Sequence, residues 1–300
     1  MMITSPFDDV DIPDVTLFDL LFGTLDEADL DRTALIDSLS GTTTTYRALV
    51  ADIEGLAGAL AAAGVATGSV VALFAPNSAA FVIAFHAILR AGAAATTVNA
   101  LFTAADVAKQ LRDSGATMLI TVDALAPTAQ QSAEQAGIDG SAVVVVDGPG
   151  KQVDGHPNLT ELLALRALAP TIDIDASRHV AVLPYSSGTT GMAKGVMLTH
   201  RNLVANVAQI GPALDLRQDD RILALLPFFH IYGMTVLLNA SMAARAALVA
   251  VPKFELEQLL QTIQDHRVTF AFIAPPVALV LAKNASVDRY DLSSLEVVLS

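Results

Sequence analysis

The sequence predicts an α/β protein in which mainly parallel sheets are packed between helices. Two observations carry that expectation. Runs such as Thr117–Val122 and Ala142–Val146 are apolar at nearly every position, as strands covered on both faces must be. Helical patterns of about a dozen residues stand between them, enough for the crossover that a parallel neighbour requires.

Taken in order, the first 31 residues hold nine acids (Asp8, Asp9, Asp11, Asp14, Asp19, Asp26, Glu27, Asp29 and Asp31) and no base. They are expected to form a solvated, partly disordered lead-in over 1–31. Tyr46 then opens a helix in which Leu49, Val50, Ile53, Leu56, Ala57 and Leu60 recur at helical spacing, with Gly64 as its stop. Strands are expected at Ser69–Phe74, Ala93–Val98, Thr117–Val122 and Ala142–Val146. Helices fall at Ser78–Arg90, from Thr103 to Arg112 and at Ala124–Ala136, and Thr103-Ala-Ala-Asp106 reads as a capping box. Residues 148–178 are linker-like, with a short helix near Leu159–Leu168. A second alternation begins at Val180, with strands at Val180–Pro184, Ile222–Leu226, Ala246–Val251, Val268–Ile273 and Leu295–Leu299. Its helices fit Arg201–Gly211, Tyr232–Ala244, Glu255–His266 and Pro276–Ala282. The expected division is a first α/β subdomain at 32–178 and a second at 179–300, incomplete because it ends on a strand.

Composition excludes several classes. A chain of 300 residues that is 53% hydrophobic can bury a large core. Its most apolar windows are broken by His86 and Arg90 or by Asn239 and Arg245, so none reads as a membrane span. The acidic N-terminus lacks the features of a signal peptide, and a cytoplasmic protein without integral membrane association is expected. A net charge of −14 disfavours nucleic acid and anionic lipid as partners. The lack of cysteine removes disulfides, thiolate nucleophiles and Cys-based zinc sites.

The chemistry is concentrated in Tyr185-Ser-Ser-Gly-Thr-Thr-Gly-Met-Ala-Lys-Gly-Val196, which follows an apolar strand. Between Ser186 and Gly195 stand four hydroxyls, three glycines and one lysine, and no acid. Glycines let backbone amides approach a polyphosphate, hydroxyls add donors and lysine adds a mobile charge. A Walker A loop is ruled out: the sixth position from Gly188 is Ala193, and Gly195 follows Lys194. Composition alone leaves a plain surface loop open as the alternative.

The order of residues decides between them. The string from Ser186 to Asn202 resembles the signature loop of the adenylate-forming superfamily, which includes acyl-CoA synthetases, 4-coumarate-CoA ligases, luciferases and peptide-synthetase adenylation domains. Ala193 stands where the family usually has proline, which removes no functional group. Thr45-Tyr46-Arg-Ala-Leu49, the block Gly68–Ser78, Ala87-Ile-Leu-Arg-Ala-Gly92 and Gln110-Leu-Arg-Asp-Ser-Gly115 are similar to blocks upstream of that loop. Leu226-Pro-Phe-Phe-His-Ile-Tyr-Gly233 is similar to the segment bordering the acyl pocket, and Val251-Pro-Lys-Phe254 to a stretch whose lysine contacts CoA.

The resemblance implies the N-terminal part of the large adenylate-forming domain. It gives Ser186, Ser187, Gly188, Thr189, Thr190, Gly191 and Lys194 to the ATP phosphates, with Thr190 also on Mg²⁺. It gives His230, Tyr232 and Gly233 to the substrate and adenylate pocket, with Met234, Val236 and Leu237 as apolar wall, and Lys253 to CoA. His200 is expected to act as a helix cap. The implied reaction is attack of a carboxylate on ATP to give acyl-AMP, then thioester formation with CoA. No acid lies between Asp220 and Glu255 to pair a substrate amine, so a fatty or aryl acid is expected. Val236, where plant coumarate enzymes often carry serine, leans towards an aliphatic one. The adenylation lysine and the adenine-binding loop of the family have no match in 1–300. Turnover by this chain alone is therefore expected near background, and an inactive remnant or nucleotide-binding module is the alternative reading.

Overall fold

The structure is a computed structural model and describes residues 5–146, 156–186 and 194–300. The chain starts with two short helices, α1 (Leu17–Phe22) and α2 (Glu27–Leu30), then strands β1 (Thr33–Asp37) and β2 (Thr43–Thr45). Helix α3 (Tyr46–Ala62), β3 (Val70–Phe74), α4 (Ala79–Arg90), β4 (Ala94–Val98), α5 (Ala104–Ser114), β5 (Met118–Thr121), α6 (Ala126–Ala136) and β6 (Val143–Val145) follow. After α7 (Leu159–Ala164) come β7 (Val180–Val182), β8 (Tyr185–Ser186), β9 (Lys194–Gly195), β10 (Leu198–Thr199) and α8 (His200–Leu214). The last part holds β11 (Arg221–Ala224), a π-helix at Gly233–Asn239 continued by α9 (Ala240–Ala243), β12 (Ala247–Ala250), α10 (Leu256–Asp265), β13 (Phe270–Phe272), α11 (Pro275–Lys283) and β14 (Val297–Leu299).

Among the described residues the apolar runs become two six-stranded sheets, in the orders β14-β13-β11-β12-β1-β2 and β10-β7-β4-β3-β5-β6. All neighbours are parallel except β2 beside β1 and β10 beside β7. The strands do not divide at residue 178. β1 and β2 join strands from beyond residue 220, with Leu35 opposite Leu248, while β7 and β10 complete the other sheet. One core runs through both, from Leu49, Ile53 and Leu56 of α3 and Phe81 and Phe85 of α4 to Leu237 and Leu238. Helix starts follow local chemistry. Thr103 and Asp106 form the expected capping box, and Asn158 with Glu161 and Thr199 with Asn202 form two more.

Two further expectations change. Much of the acidic lead-in is folded: Leu17, Phe18, Leu21 and Phe22 are buried, because LFDLLF places its apolar side chains on one face of α1. Its acids are used. Asp19 accepts from the Thr16 hydroxyl at 2.7 Å, Arg47 bridges Glu27 and Asp31, and Arg245 approaches Asp29 while donating to the Leu21 carbonyl at 2.8 Å. The second change concerns His200, which is fully buried and caps α1, not its own helix. The Leu17 N–H donates to His200 Nδ1 at 3.1 Å, and Thr199 caps α8.

Candidate functional site

Parallel strands end on a common edge, and here both sheets bring their carboxyl ends to the same cleft. A cavity of about 470 Å³ lies between the residues that follow β3, β4 and β5 and those that follow β11, β12 and β13. Asn77, Leu101 and Leu125 line it from one sheet, and Leu226, Phe254 and Val277 from the other. Crevices outside the carboxyl ends of parallel strands are where open α/β sheets hold ligands.

The phosphate-loop segment starts from this edge. β7 runs through Leu183 and Pro184 into β8, which pairs with β9 as an antiparallel ribbon, Ser186 opposite Lys194 and Tyr185 opposite Gly195. Ser187, Gly188, Thr189, Thr190 and Gly191 lie outside the described residues, as does the expected Mg²⁺ contact of Thr190. The ribbon that flanks them is tied down twice. The Tyr185 hydroxyl donates to Asp113 Oδ2 at 2.6 Å, and burial, then the carboxylate, hold that phenol above its ordinary range. Gly195 lies under the same ring, where a Cβ would be 3.1 Å from it. Lys194 is exposed.

The second segment, Leu226–Gly233, leaves the end of β11 and leads into the π-helix. Asn77, 5% exposed, clamps its start: Nδ2 donates to the carbonyls of Ala224 and Leu226, each at 2.9 Å, and Oδ1 accepts from the Phe228 N–H at 2.8 Å. Thr97 Oγ1 donates to the Phe229 carbonyl at 2.8 Å. His230 and Tyr232 are exposed, and the Tyr232 N–H donates to His230 Nδ1 at 3.3 Å, which leaves Nε2 as the ring nitrogen open to a ligand. Tyr232 stands edge-on to Phe272, and partial burial raises its phenol. Gly233 is required by space, since a Cβ would lie 2.1 Å from the Pro227 carbonyl oxygen.

Of the expected apolar wall, Met234 and Leu237 are fully buried in the main core and Val236 is half-buried. The helix turns those side chains inward, so the exposed surface is left to His230 and Tyr232. Lys253 lines the cavity, 70% exposed, and pairs with Glu255 at 2.5 Å. Sequence pattern alone marks neither Asn77, in the block Gly68–Ser78, nor Thr97, in the strand expected at Ala93–Val98, because their partners are distant in the chain and give no local signal.

Two mainly parallel sheets that bring their carboxyl edges to one cleft, with a Ser/Thr/Gly/Lys segment between β7 and β10, define an α/β protein with a ligand-sized crevice. Comparison with known proteins makes this specific. The family model described as AMP-binding enzyme matches residues 25–300, and the chain belongs to that family. It is 39% identical over 301 residues to 4-coumarate--CoA ligase 5 of Oryza sativa subsp. japonica, covering 99% of this chain and 54% of that protein. It is 36% identical to 4-coumarate--CoA ligase 4 of Arabidopsis thaliana, covering 91% of this chain and 49% of that one. Among solved structures, a long-chain-fatty-acid-CoA ligase of Archaeoglobus fulgidus matches with a TM-score of 0.85 at 26% identity, over 98% of this chain and 59% of that one. The anthranilate CoA ligase AuaEII in complex with anthranoyl-AMP also gives 0.85, at 25% identity, over 95% of this chain and 54% of its own. The chain spans about half the length of the curated relatives it matches. The curated relatives it resembles are named as CoA ligases.

Proposed function

We propose that this chain carries the ATP-phosphate and acid-pocket elements of an acid–CoA ligase acting on a fatty or aryl carboxylic acid. The observation that carries the reading is the ribbon that sets Ser186 opposite Lys194 at the carboxyl edge of its sheet. ATP enters there as its Mg²⁺ complex. Lys194 and the hydroxyls and amides of the loop offset charge on the β- and γ-phosphates. A carboxylate oxygen attacks the α-phosphorus, the bond to the bridging oxygen of pyrophosphate breaks, and acyl-AMP forms. CoA thiolate then attacks the acyl carbon and AMP leaves.

With Nδ1 taken by the Tyr232 amide, His230 Nε2–H donates to an anionic oxygen of the acid or the adenylate. The absence of any acid between Asp220 and Glu255 supports a substrate without an amine. Lys253 beside the largely apolar cavity supports an approach for CoA, whose arm is weakly polar and whose nucleotide is anionic.

Calorimetric titration with Mg-ATP tests the first half of the reading. Lys194→Ala is expected to weaken binding about tenfold or more, the scale of one charge-assisted hydrogen bond. Failure of the wild-type chain to bind Mg-ATP would sink the proposal. Acid-dependent ATP–pyrophosphate exchange by a longer polypeptide containing this chain, run with 4-coumarate and with a medium-chain fatty acid, tests the second half and separates the acid classes. ATP binding with no exchange in that longer polypeptide is the behaviour of a binding module without catalysis.

A further inference from the structure

Thr96 and Thr97 are neighbours on β4, and both are buried, at 0% and 3% exposure. A strand sends successive side chains to opposite faces. Each hydroxyl holds a backbone carbonyl that leads into a different part of the site. Thr96 Oγ1 donates to the Leu183 carbonyl at 2.9 Å, two residues before the phosphate ribbon begins. Thr97 Oγ1 donates to the Phe229 carbonyl, one residue before His230. Gln110 braces the pair, its Nε2 donating to Thr96 Oγ1 at 2.9 Å and to the Thr97 carbonyl at 3.0 Å. Asn77, at the end of the neighbouring β3, adds its three bonds to Ala224, Leu226 and Phe228.

The Pro227–Tyr232 segment belongs by chain order to the sheet of β11, yet the other sheet holds it. That other sheet also carries β7 and so the ribbon. We propose that Thr97 and Asn77 are positioning residues, which fix the His230 segment in register with the phosphate ribbon through β3 and β4. Neither side chain needs to touch substrate. Each acts through backbone it holds: Phe229 for Thr97, and Ala224, Leu226 and Phe228 for Asn77. The catalytic part of this inference rests on the function proposed above, whereas the ordering of the segment does not.

Two readouts keep these apart. Hydrogen exchange on the 300-residue chain reads the ordering directly. Thr97→Val keeps the shape and removes the donor, and Asn77→Ala removes both donors and the acceptor. Either is expected to speed exchange of the amides in 226–232 selectively, and Thr97→Ser is expected to restore wild-type protection. Unchanged exchange in 226–232, equal acceleration throughout the chain, or a Thr97→Ser variant no better than Thr97→Val would overturn the proposal.

Acid-dependent ATP–pyrophosphate exchange, in a longer polypeptide containing this chain, reads the consequence. Thr97→Val is expected to lower kcat/KM for the acid by up to about 10²-fold, the cost of displacing a site group by an ångström, with KM for ATP little changed. In a His230→Ala background the same substitution is expected to cost little more, since both act through one group. Full additivity there would overturn it. A longer wild-type polypeptide that binds ATP but shows no exchange would remove the ligase reading and leave the hydrogen-exchange result to decide the positioning.

Discussion

At Gly233 an added side chain has no room: its Cβ would lie 2.1 Å from the oxygen and 2.7 Å from the carbon of the Pro227 carbonyl, both backbone. Gly233→Ala is expected to destabilise by about 1–3 kcal/mol, the usual cost of overpacking, read from the urea midpoint. The buried histidines set a second expectation. Burial pushes the His86 imidazole down to about 4, against its bonds to the Val82 carbonyl and the Asn239 carboxamide. Burial, then the neighbouring His179, pushes His200 down to about 4 as well. Unfolding returns both rings to the ordinary imidazole value of 6.5, so the unfolded chain binds more protons between pH 6.5 and 4. Stability must fall as pH drops through that window. The urea midpoint of His86→Gln is expected to fall less steeply there than that of the wild type, and an identical slope would refute the assignment. His200 shows the limit of local reading: its position at a helix start was legible, but the helix it caps lies 183 residues earlier.

Among the elements, α1 departs furthest from its sequence pattern. Six residues cannot hold a helix in water unaided. Leu17 and Leu21, both at 0% exposure, dock α1 on the core. Arg245 fixes its end through the Leu21 carbonyl and the Thr24 hydroxyl, each at 2.8 Å. Leu21→Ala is therefore expected to cost about 2–5 kcal/mol in thermal or urea unfolding. Asp14→Ala, on the exposed approach to the helix, should stay within about 0.5 kcal/mol. If Leu21→Ala were as mild, α1 would be the loose lead-in that its acidity suggests. The π-helix at Gly233–Asn239 was read only as helix, because a period of 3.6 cannot register one widened turn. The close approach of Gly233 to Pro227 at its start and the Asn239–His86 contact at its end are tertiary features.

For the whole molecule, the interleaving of the sheets makes each half of the chain depend on the other. Cutting between residues 178 and 179 would strip β1 from the edge of β12 and take β7 from β4. Each piece made alone is expected to be molten or insoluble, with poor amide dispersion in its NMR spectrum, while co-expression of the two should recover a folded complex. Cooperative unfolding of an isolated 179–300 piece would show that the sheets are independent after all.

The sequence by itself determined the α/β class, most of the strands and helices from Tyr46 onward, and the phosphate-loop string. Those signals are written within a few residues: an apolar run, a capping box such as Thr103 with Asp106, a glycine at a helix end. The missed β1 and β2 are short, and only pairing with β12 makes β1 an inner strand. Tertiary structure alone decided which strands are neighbours, which helix His200 caps and which hydroxyl holds Phe229. Those outcomes depend on contacts such as Leu35 with Leu248 and Thr97 with Phe229, the second spanning 132 residues, and no local pattern records them.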